Sequence, residues 1–575
     1  MILKIIANLE GGDLVTPDNE LTYKIYGSAN NYSSPIANLG SALNDPKVNI
    51  TESVVTIENV DVGSEDIFKI SSVDAAGNEA ELSDASSAVL SKFYARPAGT
   101  TYGNSDGTSY ANAFTGFDNI NWQLISGNIL AICGNHFQTL TIGSSDVTII
   151  GNDENESGII DGELARASCI DVDNCNNVTI NDIDLQRGLV QCLFVRGTSQ
   201  NCITNNGIFS NSGNQGIQHY GTSTAIHNNP TCVDNVDDGI SLHNSTIVIV
   251  NGGVMNGNDQ QINNIQNSKC TINGTQFLNG ISFDIFSAAS ITKGSCNVEI
   301  NNVTCDKVSI ENGAFGLINN CEFENADFSK KGEGSEIIIN SSVVKNGEFS
   351  NNKVIANNCN LKNIVLGVTQ DFIFTNSFVE PFSNVRITSG SLVFNRCLID
   401  QKNNSSSVAL DIDGGQLKII NSILVNNTST NFYLGVRNNV NSELIFDNNN
   451  IIGNGNTTRG ILNFKTSDLI INNNIFIDHS LAILGSQTII SNNTLFFNNN
   501  TNTSQNVTQN NSVVGNPLFV DKQNLNFALG VTSPAMGVGV LIDETIGLES
   551  ANWLDEIPVI VTKQRTNPPN IGAFA

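Results

Sequence analysis

Four segments of this chain, NCITNNGIF, TAIHNNPTC, TIVIVNGGVM and KCTINGTQF, align without gaps on one asparagine. Asn205, Asn228, Asn251 and Asn273 hold that position, 22 or 23 residues apart, and Phe209, Cys232, Met255 and Phe277 follow each by four. Asn181 with Leu185 extends the register backwards by one turn. A fixed period of 20 to 30 residues, made of short β-like runs and small polar corners, predicts a solenoid. Asparagine suits the corners because it tolerates left-handed backbone angles, and stacked amides can pair along the axis.

The same pattern continues in VTINDIDL, VEINNVTC, GLINNCEF, EIIINSSVV, LVFNRCLI, KIINSILV, LIINNNIFI and TIISNNTLFF. It predicts on the order of 16 coils of roughly 22 residues between about 160 and 515. The spacing becomes irregular after Asn301, where projecting insertions are expected. Parallel strands bury their inward face, which places Ile, Val, Leu, Phe and Cys at alternate positions. The cysteines lie in apolar runs or beside turns with no CxxC pair, as reduced core residues would.

Residues 93–160 change character. A loop GNSDGTSYANAF, a helix expected over Tyr110–Ile125 and a strand NILAICG resemble the N-terminal opening of right-handed parallel β-helix proteins of the pectate- and polysaccharide-lyase-like kind. The closing order NPLFVDKQNLNFAL, SPAMGVGV, PPNIGAF in residues 516–575 resembles the final segment of such proteins and is expected to run back and close the last coil. Residues 1–92 read as a separate β-sandwich: FKISSVDAAGNEAELS resembles the last hairpin of a fibronectin type III domain. The expected fold is therefore all-β, with a sandwich (1–92), a cap and first coil (93–160), a right-handed parallel β-helix (161–515) and a closing segment (516–575).

The register also assigns faces. Leu193, Ile217, Ile240 and Ile262 point inward, and two residues on so do Val195, His219, Leu242 and Asn264. Phe194, Gln218, Ser241 and Asn263 point out, as do Arg196, Tyr220 and His243. With neighbouring coils about 4.8 Å apart, those last three form one exposed row spanning about 10 Å. The chain has five His, and three of them fall between 219 and 243. Such a row suits a uronate-containing glycan: His243 or Tyr220 as base or acid, Arg196 as neutraliser of the carboxylate, Asp237 and Asp238 as a calcium anchor, with Asp238 also a catalytic candidate. VDDGISL is similar to the paired-Asp strand of polygalacturonase-type hydrolases, but their Gly-His-Gly and Arg-x-Lys segments are absent, so a lyase is favoured over a hydrolase. Asp237 and Asp238 equally fit an ordinary coil corner, and Arg196, Tyr220 and His243 an ordinary surface. Trp122 is expected to pack the cap, DIDGG at Asp411–Gly415 to be a turn with calcium as the alternative, and Ser329–Glu336 to be a solvated loop.

Charged residues make up 14% of the chain, against roughly 25% in a usual domain, and the net charge is −28. No basic face exists to replace phosphate counterions, which excludes a nucleic-acid binder. No apolar run is long enough for a membrane span, and MILKIIANLEGG lacks the apolar core of a secretory signal. The chain is therefore expected to be made and left, at least initially, in a cytoplasm, and with an N-terminal adaptor and a stiff solenoid it resembles bacteriophage tail-spike or tail-fibre virion proteins. That resemblance implies binding, and in some members cleavage, of host surface polysaccharide. It also implies virion partners at the N-terminal domain and a homotrimer. A secreted bacterial polysaccharide lyase and a non-enzymatic decoration or adhesion protein are the alternatives.

Overall fold

The computed structural model describes residues 2–8, 22–27, 35–39, 48–51, 54–61, 68–73 and 91–575, except for short segments at 266–267, 279–282, 287–296, 311–313, 329–334, 351, 382–384, 402–407, 426–432, 440–441, 456–457, 465–467 and 543–544. Two compact units divide the chain, Met1–Lys92 and Phe93–Ala575. In the first, Ile2–Asn8 and Val48–Thr51 flank Val54–Asp61, and Pro35–Leu39 and Phe68–Val73 flank Thr22–Gly27, all antiparallel. The hairpin that resembles fibronectin type III runs past Val73 and so lies largely outside the described residues.

The second unit is a parallel β-helix. One coil shows how it is built. Val178–Asn181 forms the first side, Asp184–Gln186 the second and Gln191–Arg196 the third; Cys202–Asn205 then begins the next coil directly beside Val178–Asn181. Three parallel sheets result: a ladder sheet, a short-strand sheet and a third sheet. The ladder sheet runs from Ile129–Ile132 to Val507–Asn510. Inward residues such as Ile180, Leu185, Leu193 and Val195 have no exposed surface.

The ladder asparagines end their strands in extended conformation, and their side chains form a chain of amide hydrogen bonds. Asn205 Nδ2 donates to Asn181 Oδ1 at 2.7 Å, Asn228 to Asn205 at 2.8 Å, Asn251 to Asn228 at 2.8 Å and Asn273 to Asn251 at 2.8 Å. Asn301, Asn319, Asn340 and Asn357 continue it at 2.9 to 3.1 Å. The left-handed residue of the corner is the next one: Asp182, Asn206, Asn229, Asn302, Asn320 and Asn358 have φ between 50° and 58°, and Gly252 and Gly274 take 63° and 62°. The first corner residue thus bonds along the axis from an extended backbone, while the second turns the backbone and adds an exposed axial bond of its own, Asn206 to Asp182 at 2.9 Å and Asn229 to Asn206 at 3.3 Å. The cysteines among the described residues are buried. Several follow the left-handed residue, where Cys321, Cys359 and Cys397 each donate a backbone N–H to a serine hydroxyl of the next coil at 3.1 Å. Burial pushes the Cys359 and Cys397 thiols up to about 12.

Part of the irregular spacing after Asn301 comes from shortened coils. Ladder asparagines there are only 18, 21 and 17 residues apart. The second and third sides fuse into single strands, Val343–Ser350 and Asn360–Val368, so the corner between them disappears and each coil shortens. They separate again at Phe378–Pro381 and Val385–Ile387.

Both ends differ from expectation too. Instead of one helix over Tyr110–Ile125, the cap has a 3-10 turn at Tyr110–Asn112, a strand Phe114–Thr115 and a one-turn helix Trp122–Ile125. Gly116, at φ +67°, breaks the run, and any Cβ there would meet the Gln138 side-chain amide. Trp122 packs against the main core. The C-terminal segment runs back, but along the side of the solenoid and not over its end. Phe527, Leu548, Trp553, Ile571 and Phe574 form a second core with outward residues of the coils, among them Phe378, Leu398, Ile423, Ile475 and Leu495. Corner asparagines buckle it down in reverse order: Asn493 donates to the Val538 carbonyl at 2.6 Å, Asn473 to Val540 at 2.6 Å and Asn421 to Ile546 at 2.9 Å. Arg565, 5% exposed, donates to Asn421 Oδ1 at 2.6 Å and to the carbonyls of Gly572, Ala573 and Phe574.

Candidate functional site

The third sheet brings Gln191–Arg196, Gln215–His219, Asp238–Leu242 and Gln260–Ile265 side by side. Leu193, Ile217, Ile240 and Ile262 pair in one row, each at most 1% exposed. Val195, His219 and Leu242 form the next inward row, with no exposed surface, and Asn264 pairs beside Leu242. Phe194, Gln218, Ser241 and Asn263 lie between them, Ser241 itself being covered. The backbone N–H of Tyr220 bonds to the Val195 carbonyl at 2.9 Å and that of His243 to the His219 carbonyl at 3.0 Å, so Arg196, Tyr220 and His243 follow one another coil by coil.

Their side chains are not equivalent. Tyr220 is 48% exposed, and its ring centroid lies 6.1 Å from that of His243 at a tilt of 39°. His243 Nε2 meets Ser241 Oγ at 3.0 Å, and burial holds its pKa below the ordinary histidine value, so it is neutral at neutral pH. Arg196 is already engaged. Its Nε and Nη2 fork onto Asp171 Oδ1 and Oδ2, both at 3.0 Å, and Nη2 reaches Asp173 Oδ2 at 3.2 Å. Asp173 pairs with Arg196 in the register, so the acidic partners were legible in SCIDVD, one coil earlier at outward positions. A guanidinium held by two carboxylates is a poor neutraliser for a third.

Asp237 and Asp238 part company at their corner. Asp238 is 1% exposed, and Asp237 accepts from Gln215 Nε2 at 3.4 Å. Calcium takes six to eight oxygens. No group of three or more His, Cys, Asp or Glu side chains that could hold a metal ion is found among the described residues. Asp411 and Asp413 of DIDGG are likewise taken, by Arg437 and Arg386 respectively. Of Ser329–Glu336, all but the last two residues lie outside the described residues.

The histidine cluster resolves into a buried pair and the half-buried His243. His219 and His227 have no exposed surface, and their Nε2 atoms meet at 2.9 Å. Thr204 Oγ1 bonds His227 Nδ1 at 2.8 Å. Burial pushes His227 down to about 3 and His219 well below the ordinary value, so both stay neutral inside the solenoid. No protein-family model matches the chain, and no curated protein matches it either. No helix among the described residues is long and apolar enough to cross a membrane.

Proposed function

We propose that this chain is a bacteriophage tail-spike-like virion protein that binds host surface polysaccharide on the outer face of its β-helix, with the N-terminal unit as adaptor to other virion proteins and with homotrimeric assembly. The observation that carries the glycan reading is the exposed Tyr220 ring beside His243, on a row of parallel strands that holds both at a fixed spacing. An aromatic face with a polar tip stacks on a sugar ring while a neutral imidazole exchanges hydrogen bonds with its hydroxyls. Binding is favoured over elimination because Arg196, the candidate neutraliser, is occupied by Asp171 and Asp173.

The test is retention of purified capsular and surface polysaccharides on the immobilised full chain. Tyr220→Ala is expected to weaken retention by about 1–2 kcal/mol, roughly 5- to 30-fold, and His243→Ala by less. Equal retention by Tyr220→Ala, or none by the wild type, removes the reading. Growth of unsaturated-product absorbance, lost in His243→Ala, replaces it with the lyase alternative. Detection of the chain in purified phage particles checks the virion assignment, and sedimentation checks the trimer.

A further inference from the structure

A groove of about 300 Å³ lies on a different face, across the short-strand sheet near the N-terminal end of the coils. Its floor follows from register: Ile159, Asp184 and Ile208 pair across three successive coils, while the alternate residues Leu185 and Phe209 are fully inward. One wall is the hairpin in which Asn152 pairs with Ser157. Tyr94 bonds Glu154 and Tyr110 bonds Glu156, so this hairpin is tied back to the cap. The same corner of the next two coils adds Asp182 and Asn206 to the lining, where Asn206 Nδ2 donates to Asp182 Oδ1 at 2.9 Å. The hairpin and the corner are therefore both held by bonds within the protein before any ligand arrives.

The lining has a distinct chemistry. Ile208 is 40% exposed, an apolar floor left open to solvent beside the carboxyl of Asp184. Asp184 Oδ1 is shielded from water and has no hydrogen-bond donor in the protein. Burial, with the Asp161 charge, raises the Asp184 pKa above the usual carboxylate value. No Lys or Arg lines the groove, and Arg187 is held by Asp161. An anionic ligand would meet two aspartates and no cation. A neutral pyranose matches better, with a C–H face for isoleucine and a hydroxyl rim for Asn, Ser and Asp. The volume is at the lower end of the range for small-ligand sites, about 300–1,000 Å³.

We infer that the groove floored by Ile159, Asp184 and Ile208 is a second glycan-binding site, selective for a neutral pyranose unit. The inference rests on the polysaccharide-binding reading above and narrows its ligand to a chain containing uncharged sugars. The experiment is calorimetric titration of the full chain with hexasaccharides from dextran, mannan, galactan and polygalacturonate, using wild type, Asp184→Ala, Ile208→Arg and Tyr220→Ala. At least one neutral hexasaccharide is expected to bind. Asp184→Ala and Ile208→Arg should each weaken that binding tenfold or more at unchanged melting temperature, and polygalacturonate fragments should bind no more weakly to them than to wild type. Wild-type affinity in both groove variants overturns the groove alone, and a loss confined to Tyr220→Ala then leaves the outer-row reading standing. Absence of binding by every neutral hexasaccharide overturns the groove. If whole polysaccharide is not retained either, the glycan reading falls with it.

Discussion

At a coil corner, two neighbouring asparagines face different physical demands. Asn228 donates to Asn205 and accepts from Asn251, so Asn228→Ala removes two amide bonds and strands a partner on each side. The expected loss is about 1–3 kcal/mol, read as a lower denaturant midpoint. Asn229, one residue on, is needed chiefly for its backbone angle, φ +51°, because its exposed side chain makes only one long bond, to Asn206 Oδ1 at 3.3 Å. Glycine fills the same corner at 252 and 274, so Asn229→Gly is expected to stay within about 0.5 kcal/mol of wild type. Equal costs at the two positions would contradict this division of labour. Histidines set a second residue-level property. Burial puts His136 at about 4, His227 at about 3 and His479 at about 4, against 6.5 for the free side chain. The unfolded chain binds more protons between those values, so stability is full above about pH 6.5 and falls as the pH drops towards 4. Thermal melts should show this decline, with a shallower slope in His227→Gln. A melting temperature unchanged from pH 7 to about 4.5 would rule it out.

Among elements, the C-terminal segment stands apart from the solenoid pattern because its core is built on the outside of the coils. Arg565 is its buried clasp, with bonds to Asn570, Gly572, Ala573 and Phe574 in the segment and to Asn421 at the corner. Arg565→Met is expected to cost more than about 3 kcal/mol in the attachment of this segment, because several buried carbonyls lose a charged donor together. Hydrogen exchange should rise first in 546–564, before the ladder strands, and dye binding should report exposed Phe378, Leu398 and Ile423. Simultaneous loss of the whole β-helix would show instead that segment and solenoid are one cooperative unit. The fused strands after Asn301 are a different element-level event. A coil needs a corner only where two sheets meet, so merging Val343–Ser350 into one strand removes residues without disturbing the ladder.

Over the whole molecule, the charge of −28 acts on partners more than on the fold. Polyanions are repelled at low salt, whereas a neutral glycan held by stacking and hydrogen bonds is indifferent to screening. Affinity for a neutral hexasaccharide should change by less than about twofold between roughly 0.05 and 0.5 M salt, and no duplex DNA should bind across that range. A steep salt dependence for the bound glycan would mean that charge, and not the Tyr220 or Asp184 surfaces, carries recognition.

The period of the asparagines by itself determined the β-helix, its register and the inward rows, because every coil repeats one local solution and neighbours pair directly. Leu193, Ile217, Ile240 and Ile262 were therefore readable from spacing alone, as was the succession Arg196, Tyr220, His243. Spacing carries no information about what comes to lie across a coil or beside it. Only the tertiary structure decided that His219 and His227 meet inside the solenoid and that the last sixty or so residues cover its flank. It also decided that the hairpin at Asn152–Ser157 rises beside Asp184 to make a groove. Each of these depends on contacts between side chains of different coils or segments, whose partners are chosen by packing and desolvation and not by the repeat.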